Sequence, residues 1–532
     1  SRGELIQQSG ARTYPVRYAY TDQGRLAGLS TYRNGLGGAA DVTAWNYDPQ
    51  RGWLTNKVYA DSSAVAYSYL ANGALQKRAW ARGAETAYAY DPAGSLTNVD
   101  YSDTTPDIAY RLDRLGRAVE IADGIGARTN GFNLDGSLAS EIIPGGAGSP
   151  STLSFLYDSL GRRTNLSLDI GGMRAVASAH SFDPAGRLAT VSDGALTATY
   201  AYGFDGTTVT NTLFNNNGVE VMRSARSFDG LNRLSEISSV PSVSSVVSSS
   251  YFYNQANQRT TNYLTDRSYW SYSYDALGQV VGGKKHFADG LPVHGAQFEY
   301  SFDTIGNRIL AMEGDAPSSP SSYAASGLNQ YTQRTVPGRV LATGEAATNA
   351  VIAIRDGTNT AQLAGRHGEY FWKPVAVSNA AGVFCTTNLQ VTAMIASGTN
   401  SLVKTETRRA FLPRTPEAFA YDPDGNLLAD GLWTNTWDAE NRLIAMETGA
   451  EAIVAGVPRV RLEFAYDFMG RRISKQVYSW ATDHWTLTTD HSFLYDGWNL
   501  ISEIAFTPTL PYSVTNSFLW GLDLSGSLQG AG

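Results

Sequence analysis

Short runs in which every second residue is apolar recur along this chain. Thr199-Tyr200-Ala201-Tyr202 is one, and Arg461–Tyr466 places Leu462, Phe464 and Tyr466 on one face. A period of two is the mark of a half-buried strand. A partner run follows across a turn, as Arg472-Ile473-Ser474-Lys475-Gln476-Val477 follows Tyr466. Strand, turn, strand is a hairpin, and hairpins at regular spacing predict a continuous antiparallel sheet. No amphipathic helical pattern extends beyond a turn or two.

The turn between the runs is itself a repeat: aromatic, Asp, two variable residues, Gly or Asn, then often Arg and an aliphatic. Tyr90-Asp91-Pro92-Ala93-Gly94, Tyr157-Asp158-Ser159-Leu160-Gly161-Arg162, Phe182-Asp183-Pro184-Ala185-Gly186-Arg187-Leu188 and Tyr466-Asp467-Phe468-Met469-Gly470-Arg471 are clear copies. Asn takes the fifth place in Phe228–Leu234, Trp437–Leu443 and Tyr495–Leu500, at Asn232, Asn441 and Asn499. Gly and Asn share an inexpensive left-handed backbone, so their interchange predicts a positive φ there. The Asp side chain is suited to accept N–H bonds from residues just ahead, and Pro49, Pro92, Pro184 and Pro423 pre-set φ for the first central residue. The aromatic is expected to pack on its equivalent in the next hairpin.

The anchors run Gly24, Gly52, Gly73, Gly94, Gly116, Gly136, Gly161, Gly186, Gly206, Asn232, Asn257, Gly278, Gly306 and Asn329, and resume at Gly425, Asn441, Gly470 and Asn499. Most intervals are about 20–29 residues, the period range of repeat arrays that share one core. The repeat vanishes between Asn329 and Gly425. The runs Ala350–Ile354, Tyr370–Val377, Leu389–Ile395 and Ser401–Thr405 in that gap predict a small inserted sandwich of immunoglobulin-like kind. The expected domains are a repeat sheet over 1–336, the insert over 337–416 and a second stretch of repeat sheet over 417–532. Ser238–Ser250 and Ala316–Ser322 read as mobile loops inside the array.

Composition agrees with strands: Tyr 30, Trp 11 and Phe 19 stand beside only 17% charged residues in 532. A net charge of −8 offers no basic face for a nucleic acid or an anionic membrane. One cysteine, Cys385, allows no intrachain disulfide. No run is long enough to span a bilayer, and Ser1–Tyr20 has no apolar core of a signal peptide. The chain lacks an initial Met and stops at Gly530-Ala531-Gly532 just past a patterned segment, so a piece of a longer protein is expected.

Tyr-Asp-x-x-Gly-Arg-Leu recurring through a chain resembles the YD repeats of the RHS family, which includes bacterial RHS proteins, teneurins and a component of insecticidal toxin complexes. The segments Trp437–Ile444 and Leu519–Ser527 are similar to stretches of bacterial RHS proteins, and His367-Gly368-Glu369-Tyr370-Phe371 to a module in some of those chains. The resemblance implies a spiralling β-sheet forming part of a hollow shell. That shell would enclose a C-terminal polypeptide, often a toxin, in a secreted or cell-surface bacterial protein. In the family the shell closes with a segment rich in Asp-Pro-x-Gly, which in many members cleaves itself with aspartates. Nothing after Gly526 corresponds to it, so this stretch reads as truncated before that segment, and self-cleavage and toxicity fall on no residue here. An alternative reading is an adhesion or carbohydrate-binding module with a cell-surface glycan partner, since Tyr and Trp stack on sugar rings. A self-processing hydrolase is a third, with no residue to carry it.

Asp91, Asp158, Asp183, Asp275, Asp303, Asp422 and Asp467 occupy one slot of the repeat, and an active site is not copied at every turn. Asp422 with Asp424 falls short of a calcium loop in ligand number. His180, His286, His294, His367, His484 and His491 lack the spacing of a metal set, though His484 and His491 are placed to approach across a hairpin. Cys385 reads as a small buried hydrophobe. Gly35-Leu36-Gly37-Gly38, Gly171-Gly172 and Gly282-Gly283 precede no helix and so cradle no phosphate. Arg25, Arg117, Arg162, Arg187 and Arg471 are expected to pair with Asp residues of adjacent hairpins, or to face an enclosed chain. The expectation is a non-enzyme with no catalytic, cofactor-binding or metal residue.

Overall fold

The computed structural model describes residues 3–145, 150–242, 244–314, 320–357, 359–398, 400–507 and 510–522. Thirty strands join in one sheet, beginning at Gln7–Gly10, and each strand of the array pairs antiparallel with its neighbour in sequence. The insert does not break this order. Tyr331–Arg334 pairs with Glu417–Ala418 through Gln333↔Ala418 and Arg334↔Glu417, so the sheet resumes on the far side. The Phe419 N–H then donates to the Thr332 carbonyl (3.0 Å), and nine further strands run from Ala420–Tyr421 to Leu510–Ser517. A five-residue helix, Ala450–Val454, fills one connection.

At each repeat turn the register slips by one residue at the aromatic: Ala89↔Asn98 is followed by Tyr90↔Leu96. This is a type I turn closed by a left-handed residue, which leaves a bulge and adds local twist. The anchors carry the expected φ, from +70° at Gly52 to +93° at Gly306 among the glycines and +58° to +61° at Asn232, Asn257, Asn329 and Asn441. Asn499 departs from the pattern. There Gly497 (φ +56°) makes a shorter turn, and Asn499 pairs with Asp496 within the ladder.

The array is all-β and it spirals. Thr304 Oγ1 donates to the Tyr32 carbonyl at 2.6 Å, and Arg33 Nη1 to the Ala325 carbonyl at 2.6 Å, across 272 and 292 residues of sequence. Beyond the insert the separation of touching residues is 333 to 362. The sheet has curved through a full winding and met its own start, forming part of a shell. The second winding sets its repeat turns on the opposite edge of the first. Past Tyr466 it moves from that edge onto one face, where Leu494 and Ile501 join the core made by Leu153, Phe155, Leu166, Leu168 and Val176. Cross-strand pairs Leu153↔Leu168, Phe155↔Leu166 and Leu168↔Val176 put these side chains on one side of the sheet.

The insert contains a three-stranded sheet (Arg339–Glu345, Tyr370–Ala376, Gly365–His367) and a four-stranded one (Gln362–Leu363, Val351–Asp356, Phe384–Ser397, Asn400–Leu412). Ile352, Ile354, Phe371 and Leu389 are buried between them. Arg339–Glu345 was not foreseen, and the last hairpin is far longer than its apolar runs. The Ser-rich stretch is mostly strand, Leu234–Pro241 and Val247–Tyr253, rather than loop. Serine in an edge-to-edge ladder keeps its backbone bonds, which outweigh its weak strand propensity. Ser321 and Ser322 likewise begin a strand, while 316–319 and most of Leu519–Ser527 lie outside the described residues.

Candidate functional site

The repeat turn is the constellation the chain invests in. In Tyr157–Arg162 the Leu160 and Arg162 N–H groups both donate to Asp158 Oδ1 at 2.9 Å, and the Gly161 N–H to the Asp158 carbonyl at 3.0 Å. The second carboxylate oxygen takes Arg162 Nε at 2.7 Å. The same four bonds recur at Asp183–Arg187, Asp229–Arg233, Asp438–Arg442 and Asp467–Arg471. Where Arg is replaced, Gln279, Asn307 and Asn426 reach the same oxygen through an amide at 2.8–2.9 Å. The Arg hydrogen bonds hold the carboxyls of Asp158 and Asp183 below their ordinary range.

Each turn is then tied to the next. The guanidinium of Arg162 lies 4.3 Å from the Phe182 ring, Arg187 4.2 Å from Tyr202, Arg233 4.6 Å from Tyr253 and Arg442 5.2 Å from Tyr466. The repeat tyrosine reaches back as well. Tyr157, Tyr202, Tyr253 and Tyr466 donate their hydroxyls to the carbonyls of Leu138, Leu188, Leu234 and Leu443 at 2.7–2.9 Å. Burial pushes the phenols of Tyr157, Tyr202 and Tyr466 upward, so they remain neutral donors. Arginine therefore separates successive aromatics, in place of the direct stacking expected. Its ion pair is with the Asp of its own turn, not of the neighbouring hairpin. The chain is an array of such turns, one hairpin tied to the next.

The seam between windings is the second constellation. Arg82 Nε meets Asp424 Oδ2 at 2.9 Å and its Nη1 meets Asp422 Oδ2 at 3.4 Å, so these two aspartates serve one arginine and not a calcium loop. Burial raises the Asp424 carboxyl. Arg78 pairs with Glu440 at 2.7 Å, Trp80 Nε1 donates to the Ala439 carbonyl at 2.6 Å, and Thr105 Oγ1 accepts from the Ala439 N–H at 2.9 Å. Arg128, 1% exposed, binds Glu141 at 2.7 Å and lies 3.4 Å from Asp123 and 3.6 Å from Asp467, over the Phe468 ring. Sequence reading missed Arg78, Arg82, Arg128 and also Arg163, whose Nη2 meets Asp496 Oδ2 at 2.6 Å. They sit on the YD-free edge or follow a turn, where nothing periodic marks them.

The remaining candidates are dispersed. His286 stacks on Tyr269 at 4.8 Å, His294 on Trp372 at 3.9 Å and His367 on Phe287 at 3.9 Å, with His367 Nε2 2.7 Å from Asp289. The last two contacts fasten the insert to the array hairpin 286–294. His491 bonds Glu503 while His484 bonds Thr482, so one strand carries both without bringing them together. His180 is mostly buried, which lowers its pKa. Cys385 is half-buried opposite Phe411, less enclosed than its apolar neighbours imply. Gly171-Gly172 forms a hairpin turn and Gly282-Gly283 lies within a strand. Among the described residues no group of three His, Cys, Asp or Glu is placed to hold a metal, and no helix is long and apolar enough to cross a membrane.

No family model matches the chain. The tRNA nuclease WapA of Bacillus subtilis (strain 168) is 30% identical over 105 residues, which is 20% of this chain and 4% of that protein. The tRNA(Glu)-specific nuclease WapA of Bacillus subtilis subsp. natto matches over the same share. Among solved structures, the TcdB2-TccC3-Cdc42 crystal structure gives a TM-score of 0.49 at 12% identity, covering 95% of this chain and 28% of that one. A Photorhabdus luminescens Tc holotoxin pore gives 0.45 at 12% identity, with 93% and 27% covered. The YD array thus spans about a quarter of the toxin-complex chains.

Proposed function

We propose that this array is a non-catalytic wall segment of a container that encloses another polypeptide, a toxin carried by the same longer chain. The observation that supports it is the seam. A second winding seated on the edge of the first, through Arg82, Thr105 and Arg128, is the arrangement that a wall around a space requires. The repeat invests its polar groups in turn geometry and winding contacts, which suits a wall. By its resemblance to RHS proteins the container acts outside the bacterium that makes it, secreted or at the surface.

The test is to express the chain with the reading frame that follows Gly532 and to treat it with a broad protease. The proposal expects the downstream polypeptide to survive in the intact particle and to be digested once Arg82→Ala and Arg128→Ala open the seam. Equal digestion with and without the seam changes overturns encapsulation. Intact mass after prolonged incubation checks the non-catalytic part, with no self-cleavage within residues 1–532 expected.

A further inference from the structure

The two sheets of the insert do not match in width. The three-stranded sheet ends at Arg339–Glu345, whereas the four-stranded sheet continues to Asn400–Leu412. An open cleft of about 1010 Å³ lies between them, lined by Val340, Ala342, Val391, Ala393 and Ile395 on its apolar side. The register fixes what lies under the overhang. Leu389, Val391, Ala393 and Ile395 face Arg408, Glu406, Lys404 and Leu402 across the ladder. Cross-strand partners share a face, so these four residues continue the core side of the sheet with nothing above them. Leu402 is accordingly 66% exposed.

The edge that borders the cleft has free backbone groups. Leu341 stands opposite Pro374, which has no N–H, so that pair is of the non-hydrogen-bonded kind. In an antiparallel ladder the kinds alternate. Thr343 is therefore also non-hydrogen-bonded toward Trp372, and its N–H and C=O point outward. Among the described residues no second strand pairs with this edge. Inward charges on the overhang bar a wholly apolar strand. Lys404 and Arg408 share Glu406, and with Glu345 and Arg409 also on the lining the cleft carries one net positive charge.

We propose that this cleft takes an extended strand from another polypeptide, paired to the free edge at Leu341 and Thr343. Its inward side chains are apolar over Ala342 and Ala393 and carry a carboxylate toward Lys404 and Arg408. The backbone bonds supply affinity and the alternate side chains supply choice, as in other strand additions. The inference is independent of what the repeat wall encloses.

The probe is a fluorescein-labelled ten-residue peptide alternating valine with threonine and two aspartates, against the same peptide with lysines for the aspartates. Fluorescence anisotropy with the full chain is expected to show saturable binding of the aspartate peptide, at least tenfold tighter than the lysine one. Thr343→Pro removes an outward N–H without disturbing the ladder and is expected to weaken binding at least tenfold with an unchanged circular dichroism spectrum. Lys404→Glu with Arg408→Glu, both on exposed side chains, is expected to reverse the preference. No saturable binding, or a preference unmoved by the charge reversal, overturns the proposal. So does concentration-dependent dimerisation abolished by Thr343→Pro without peptide binding, which assigns the edge to a second copy.

Discussion

Gly470 holds φ +79° in open space, with nothing closer than Arg442 Cδ at 3.9 Å to where a Cβ would stand. Backbone strain alone is therefore at stake. Gly470→Val should cost roughly 1–3 kcal/mol, and Gly470→Asn should be nearly neutral, as Asn441 is at the same slot. Urea midpoints compare the two, and equal midpoints contradict the left-handed turn. The turn carboxylates make a pH prediction. The pKa of Asp158 is lowered in the fold by its bonds from Arg162. A depressed carboxyl contributes stability above its unfolded pKa and loses it as pH falls through the folded value. Acid should therefore destabilise the array below the ordinary carboxylate value of about 3.9, and Asp158→Asn should flatten that part of a pH–stability profile. Anchor and Asp roles were legible because they are local backbone chemistry. The reach of Arg162 to Phe182 was not, since it depends on how far the next turn lies across the sheet. Asn499 misled because Gly497, two residues earlier, took the left-handed place.

Between elements, the sites to probe are the ties and the seam. Tyr466→Phe removes the donor to the Leu443 carbonyl and should cost about 0.5–1.5 kcal/mol in thermal or urea unfolding. Arg128→Ala should cost about 3–5 kcal/mol, because it leaves Asp123, 3% exposed, without its cation and removes one of the two cations beside the fully buried Asp467. A loss below 1 kcal/mol there contradicts a buried seam. Strand positions in the array were readable from alternation and from the turn at each end. Arg339–Glu345 was not, since Ala342 and Gly344 are too small to register as an apolar stripe. Deleting Pro337–Pro413 behind a short linker is expected to leave a folded, β-rich array, because Arg334 and Glu417 already pair across the gap. Insoluble or unfolded product contradicts an insert that interrupts the sheet without carrying it.

At the scale of the molecule the period of the winding is the quantity no stretch of sequence displays. Each hairpin adds a small rotation, and only their sum brings Thr304 to Tyr32 and Asp424 to Arg82. Family resemblance implied a shell; the contacts between windings are its physical content. The direct measurement is a cryo-electron microscopy map of this chain. The account predicts a curved wall one sheet thick, with the turn Asp422–Gly425 seated on the edge that carries Arg82 and a solvent-filled space inside. A flat ribbon, or a rod with no interior, contradicts it.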